Sequence, residues 1–199
     1  MRSQHSAVKS YMKQSWHNKF NIYFSKDVYI YFALLLLLVP LRLLLAAMIS
    51  AGMHELFHIA AILTAGKKIY SICIGPRGTF IQTEPMDDRE EVLCAIAGPL
   101  SGFMLAFFFR WIPVIALTGA VQSLYNLLPL YPTDGGRVLQ SGARILFSNT
   151  TACKIVYWAE IITLSFLFAL CLYGTICLRL GIIPVVFSLL ILLRQAERK

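Results

Sequence analysis

The chain has 199 residues, of which 58% are hydrophobic and only 14% are charged. Soluble domains usually carry about 25% charged residues, so the composition excludes a single water-soluble core and indicates a polytopic membrane protein. The net charge of +8 falls in polar segments between apolar runs, without a basic stripe interleaved with aromatic residues. It therefore indicates membrane topology and gives no sign of a nucleic-acid partner.

The chain opens with a polar, basic tail at residues 1–27, which we expect to lie in the cytosol and not to be a cleaved signal peptide. The predicted fold class is an all-α polytopic membrane protein whose core occupies residues 28–195. Pro40 and Arg42 mark the expected hairpin between the first two spans. The apolar runs predict about six transmembrane helices, at residues 28–41, 43–65, 92–110, 112–128, 155–178 and 180–194.

A small β-hairpin is predicted between the second and third spans. Residues 69–74 and 79–83 are rich in β-branched and aromatic side chains, and Gly75-Pro76-Arg77-Gly78 separates them. After the fourth span, residues 129–148 predict a loop followed by an amphipathic helix. No segment has the length or pattern of a CBS or PDZ domain, so none is expected.

Basic residues set the expected orientation. With the N-terminus in the cytosol, 15 of the 18 Lys and Arg residues lie in cytosolic segments, the exceptions being Arg42, Arg110 and Arg179. The positive-inside rule therefore predicts a multi-pass protein of the cell membrane with both termini in the cytosol.

An H-E-x-x-H sequence, His54-Glu55-Leu56-Phe57-His58, lies in the second apolar run. Positions i and i+4 share one face of a helix, so His54 and His58 can bind one zinc ion while Glu55 activates water. The alternative is two helix histidines that happen to flank a glutamate. Three ionisable residues at membrane depth are costly to keep for packing alone, which favours the zinc hypothesis.

A third ligand is needed, because catalytic zinc usually has three protein ligands. The remaining histidines, His5 and His17, lie in the tail, so the third ligand must be a carboxylate or a cysteine. Asp134 follows two prolines and precedes two glycines, a setting typical of irregular backbone that lines a cavity. It could instead cap the next helix, but with H-E-x-x-H present we favour it as a ligand. The roles of Gln122 and Glu160 stay open.

Three motifs resemble those of the site-2 protease family of intramembrane zinc metalloproteases, across about residues 30–195. They are His54-Glu55-x-x-His58, then Ile96-Ala97-Gly98-Pro99-Leu100, and finally Asn126-Leu-Leu-Pro-x-x-Pro-x-Asp134-Gly-Gly-Arg137. The sequence is similar to the branch of the stage IV sporulation protein FB in particular. That branch usually carries a C-terminal CBS domain, which is not expected here.

The resemblance implies an enzyme that hydrolyses a peptide bond in or near a transmembrane segment. It implies one Zn2+ per chain held by His54, His58 and Asp134, Glu55 as the catalytic residue, and Asn126 as a substrate-binding residue. Its implied partners are the lipid bilayer, a membrane-protein substrate such as a sigma-factor precursor or anti-sigma factor, and a regulatory membrane protein. The implied strand pair would receive the substrate as an added strand.

A membrane protein that binds or transports metal without hydrolysis is the alternative function. It would use the same ligands but would need polar side chains along a path across the spans. The half of the predicted bundle opposite the cytosol has almost none, which disfavours this alternative.

Overall fold

The computed structural model describes residues 21–75, 78–108 and 111–177. This part of the chain is mostly helical and contains one small sheet, as predicted. Its elements in chain order are β1 (Asn21–Phe24), α1 (Lys26–Leu38), α2 (Leu41–Thr64), β2 (Ile69–Gly75), β3 (Gly78–Thr83), α3 (Asp88–Phe108), α4 (Pro113–Asn126), α5 (Asp134–Leu146) and α6 (Asn149–Ile176).

Three described helices, α2, α3 and α6, are long and apolar enough to cross a membrane. Two other predicted spans are helices of only 13 and 14 residues, α1 and α4. At 1.5 Å per residue each is about 20 Å long, short of the roughly 30 Å hydrocarbon layer. The sixth predicted span, at residues 180–194, lies outside the described residues. Six spans are therefore not supported by the described part of the chain.

Prolines explain why two helices end earlier than the apolar runs predicted. Pro40 precedes α2 as its N-cap residue, and α1 has already ended at Leu38. α4 begins at Pro113 and ends at Asn126, shortly before Pro129. A proline is well accommodated in the first turn of a helix and favours a boundary there, so both apolar runs extend beyond the last residue of their helices. Arg42, expected in a hairpin, lies inside α2.

The sheet has one strand more than predicted. β2 and β3 form the expected antiparallel hairpin, with Ile72 opposite Ile81 and Cys73 opposite Phe80. β1 pairs with β2 in parallel, with Ile22 beside Ile72, so the strand order is β1-β2-β3. The expectation of a plain polar tail up to residue 27 was wrong at its end, since residues 21–24 are a strand and α1 begins at Lys26.

The helical core is built around α3, which packs against α2, α4 and α5. The most deeply buried side chains in this core are small or polar, among them Ser50, Ser101 and Ser123. Many leucine and phenylalanine side chains face outward instead, such as Leu37 at 81% and Phe107 at 71% exposure. Small residues inside and large apolar residues outside are the arrangement expected of helices packed within lipid.

Serine hydroxyls form hydrogen bonds between the helices of this core. Ser123 of α4 donates to the carbonyl of Pro99 in α3 at 2.7 Å, and Ser50 of α2 donates to Gln122 of α4 at 2.6 Å. Gln122, whose role the sequence left open, thus joins α2 to α4 in the structure. These bonds fix the helices that carry the candidate site.

Candidate metal centre

His54 and His58 lie one turn apart on the inner face of α2, and Asp134 is the first residue of α5. All three are buried, with 5–6% of their surface exposed. Helical spacing alone aligns the two histidines, whereas Asp134 reaches them only because α3 holds both α2 and α5. The structure therefore brings together the three residues predicted as ligands.

The three ligand atoms form a nearly equilateral triangle. The His54 Nε2–Asp134 Oδ2 distance is 3.0 Å, the His58 Nε2–Asp134 Oδ2 distance is 3.3 Å, and the two Nε2 atoms lie 3.1 Å apart. A tetrahedral zinc ion with bonds of 2.0–2.1 Å needs neighbouring ligand atoms about 3.3–3.5 Å apart. The triangle therefore fits one zinc ion after small adjustments.

The hydrogen bond of His58 also favours a cation. Its Nδ1 lies 2.8 Å from the carbonyl oxygen of Cys94, which can only accept, so Nδ1 carries the proton. In the neutral ring, Nε2 then presents a lone pair to the Asp134 carboxylate and to His54. Lone pairs facing one another across 3 Å are repulsive, so the cluster needs a positive charge among these atoms, which a metal ion or a proton on an imidazole Nε2 supplies. A backbone carbonyl behind a histidine ligand is a common feature of metal sites.

Gly98 of α3 lets the two histidine rings occupy these positions. A β-carbon at residue 98 would collide with the rings of both His54 and His58. This glycine belongs to the second motif, but no local pattern predicts its contact with the two histidines. The contact depends on how α2 and α3 cross, which residue types alone do not specify.

The loop before Asp134 is held by unusually close backbone contacts. Thr133 caps α5, accepting from the Gly136 amide and donating to the carbonyls of Leu128 and Leu130. A β-carbon at Gly135 or Gly136 would strike this same loop backbone. The capping role considered for Asp134 thus belongs to Thr133, which leaves the Asp134 carboxylate to face the histidines.

Arg137 and Glu91 form an ion pair behind Asp134. Arg137 Nε lies 2.8 Å from Glu91 Oε1, and Arg137 Nη1 lies 3.4 Å from Asp134 Oδ1. The guanidinium therefore contacts the carboxylate oxygen that does not face the histidines. The long motif included Arg137, but Glu91 was missed. In the sequence, Glu91 is one of several acidic residues at the start of a helix. Acidic residues are common there because they interact favourably with the helix dipole, so nothing singled out Glu91.

Glu55 is partly buried next to His54 on α2, and Thr79 of β3 lies close to its carboxylate. The sheet therefore reaches the mouth of the site. Asn126 is the last residue of α4 and is partly buried, but it is not one of the clustered ligands. Glu160 of α6 accepts a hydrogen bond from the Tyr131 amide in the loop before Asp134.

A polar cavity of about 260 Å³ adjoins the far side of Arg137. Its walls come mainly from the first turns of α3 and from α5. It is large enough to hold several water molecules at about 30 Å³ each. The lining residues are Met86, Asp88, Glu91, Tyr131, Arg137, Gln140, Ser141 and Arg144.

Comparison with known proteins agrees with this geometry. No family model matches the chain. A zinc metalloprotease of Methanocaldococcus jannaschii is 28% identical over 107 residues, which span 47% of this chain and 32% of that protein. This chain thus matches about a third of the length of that relative.

The fold itself is shared with a solved structure. A site-2 protease from Methanocaldococcus jannaschii superposes with a TM-score of 0.56 and 21% sequence identity, covering 85% of this chain and 84% of the other. The sporulation branch stays a prediction. This chain therefore shares its fold with a site-2 protease and part of its sequence with a zinc metalloprotease, and its His–His–Asp cluster is of a kind that holds a metal ion.

Proposed function

We propose that this chain is an intramembrane zinc metalloendopeptidase that cleaves membrane-bound proteins. The observation that carries the proposal is the buried triangle of His54, His58 and Asp134, which has Glu55 beside it on α2. Two histidines and a carboxylate leave a fourth tetrahedral position open, as hydrolytic zinc sites require.

In the proposed reaction, His54, His58 and Asp134 hold zinc, and Glu55 moves the protons. Zinc at this position would lower the pKa of water and polarise the scissile carbonyl. Glu55 takes a proton from the attacking water and then delivers it to the leaving amine. Arg137 keeps the Asp134 carboxylate turned toward the histidines, and the polar cavity beside Arg137 is the proposed source of water for the site.

The substrate is proposed to bind as an extended strand along β3. A membrane helix hides its backbone in hydrogen bonds, so the segment to be cleaved must unwind and find new partners. β1 already occupies one edge of β2, and β3 lies at the other edge of the described sheet, where Thr79 adjoins Glu55. Strand addition there would bring a scissile bond to the site. Asn126, by resemblance, would hold the substrate backbone nearby.

The proposed setting is the cell membrane, crossed several times, with both termini in the cytosol. Support comes from three helices of spanning length and from the concentration of basic residues in the expected cytosolic segments. A membrane protein with one span or a helical hairpin, such as a sigma-factor precursor or anti-sigma factor, is the proposed substrate. A regulatory membrane partner is part of the same proposal.

The test compares the wild type with Glu55→Gln. Both proteins should bind one zinc per chain, because Glu55 is not a ligand, and only the wild type should cleave membrane-tethered substrates. A chelator should abolish cleavage by the wild type, and added zinc should restore it. Equal cleavage by both proteins would refute the role of Glu55. Zinc binding without cleavage of any substrate would favour the metal-binding or transport alternative.

A further inference from the structure

Glu160 is an acidic residue within α6, a helix of spanning length, and the proposed reaction does not use it. An ionisable side chain at that depth is costly unless it has a partner and a role. Its Oε1 atom lies 3.2 Å from the backbone nitrogen of Tyr131. Tyr131 belongs to the ligand loop, which we define as residues 127–133 and which delivers Asp134 to the metal centre.

The backbone hydrogen bonds of the ligand loop, all of which lies within the described residues, show what Glu160 contributes. Pro129 and Pro132 have no N–H group. The other amides donate to nearby carbonyl groups, Leu127 to Ser123, Leu128 to Tyr125, Leu130 to Leu128 and Thr133 to Leu130. The Tyr131 amide is the exception, since its acceptor comes from another helix. Backbone donors at membrane depth are strongly destabilised without an acceptor, so this bond completes the loop.

The same loop fixes the start of α5. The Thr133 hydroxyl donates to the carbonyls of Leu128 and Leu130, on either side of Pro129. Gly136 packs directly against the backbone of Leu130 and Tyr131. A shift of the Tyr131 peptide would therefore move the first turn of α5, where Asp134 lies. Because Asp134 Oδ2 is 3.0 and 3.3 Å from the two Nε2 atoms, a shift of less than 1 Å would distort the ligand triangle.

We propose that Glu160 is a positioning residue for the metal centre, which holds the Asp134 loop by accepting the Tyr131 amide and so couples α6 to metal binding. Among the described elements α6 packs mainly on α5, and its most apolar stretch is not buried within the protein. The Glu160–Tyr131 bond is thus a direct polar link from this outer helix to the ligand loop. The inference rests on the proposed zinc site and adds a residue outside the three motifs.

The test uses Glu160→Leu, which removes the acceptor, and Glu160→Gln, which keeps an acceptor oxygen at the same reach. Thr163→Val is the matched control, because Thr163 lies one turn further along α6 and bonds only to Ala159 of its own helix. Zinc affinity is measured by chelator competition, and the ligand geometry by the visible absorption bands of the Co2+-substituted protein. Amide exchange at Tyr131 is measured in the metal-free protein.

The expected result is at least a tenfold loss of zinc affinity, roughly the effect of removing an outer-shell partner, and altered Co2+ bands in Glu160→Leu. Exchange at Tyr131 should be about tenfold faster in the same variant. Glu160→Gln and Thr163→Val should match the wild type in all three measurements. The proposal is overturned if Glu160→Leu keeps wild-type zinc affinity and Co2+ bands, or if Glu160→Gln fails as badly as Glu160→Leu.

The amide-exchange measurement separates this proposal from the proposed function. If the wild type bound no zinc, the metalloprotease proposal would fail, but Tyr131 exchange would still report on the Glu160 bond. Unchanged exchange in Glu160→Leu would then overturn the link between α6 and the loop by itself.

Discussion

At the scale of single residues, the candidate metal centre depends on a glycine, Gly98, as much as on the three proposed ligands. Gly98 lies against both histidine rings, and only a hydrogen atom fits between its α-carbon and those rings. The ligand positions are therefore set by the distance of closest approach between α2 and α3.

We predict that Gly98→Ala displaces the histidines and lowers zinc affinity by at least about tenfold, as loss of ligand support typically does. Activity should fall with zinc occupancy. Gly52→Ala is the matched control, because Gly52 lies on α2 near the ligands yet a β-carbon there meets nothing within 4 Å. Chelator competition on the purified variants measures the effect. Equal zinc affinity in Gly98→Ala and the wild type would contradict the close packing described here.

Arg137 supports a second residue-level prediction. Arg137→Met removes the donor to Asp134 Oδ1 and leaves Glu91 without its cation, so zinc affinity should fall by about 10–100-fold. Arg144→Met is the control, since Arg144 lies two turns along α5, pairs with Asp88 and contacts no ligand. Zinc titration of both variants decides the matter. A similar loss in both would mean that the general charge of α5, and not the contact with Asp134, governs affinity.

Residue patterns predicted the cluster of His54, His58 and Asp134 but not the residues that support it. His54 and His58 share a helix, so their spacing alone indicates a joint site. Asp134 could be chosen because the core has few other acids. Gly98, Cys94 and Glu91 act through contacts between helices, and the sequence does not encode the crossing geometry in any local pattern.

At the scale of elements, the sheet approaches α2 near the proposed catalytic residue, where Thr79 of β3 lies close to the Glu55 carboxylate. Thr79→Val should lower kcat several-fold, because it replaces a polar neighbour of the proposed general base with a methyl group and such an interaction is worth about 1 kcal/mol, while zinc content stays unchanged. Thr83→Val is the control on the same strand, since the Thr83 hydroxyl bonds only to the Glu84 carbonyl. Cleavage kinetics with zinc analysis make the comparison. A change in zinc content would show that Thr79 acts on the ligands instead.

Elements were predicted well where the signal is local. The β2–β3 hairpin follows from two runs rich in β-branched and aromatic residues that Gly75-Pro76-Arg77-Gly78 separates in the sequence, and α5 follows from its amphipathic pattern. β1 was missed because residues 21–24 adjoin a polar, basic stretch and pair with β2 about 50 residues later, a contact without a local signature. α1 and α4 end earlier than predicted, because the apolar runs continue to residues 41 and 128 while the helices end at Leu38 and Asn126.

At the scale of the whole molecule, the described helices have the inverse composition of a soluble core, with serines inside and large apolar side chains outside. Charge distribution predicts the orientation of this bundle, but its shape is independent of which side faces the cytosol. Orientation therefore needs its own experiment.

Single cysteines at Arg89 and Trp111, introduced into a variant without the five natural cysteines, test the orientation. These positions lie near opposite ends of α3, and both side chains are exposed. A membrane-impermeant maleimide added to intact cells should label the cysteine at position 111 and spare the one at position 89, because basic loops stay in the cytosol. Labelling of position 89 alone would show that the protein has the opposite orientation to the one proposed.

The distance along the chain between the ligands has a consequence for biosynthesis. His58 and Asp134 are about 75 residues apart, and a ribosome adding 5–20 residues per second needs on the order of 4–15 s to cover that interval. Throughout it, the nascent chain offers two histidines and no carboxylate partner from α5. Since the triangle of His54, His58 and Asp134 closes only when α5 has packed on α3, a site of this geometry cannot form before the helical core is assembled.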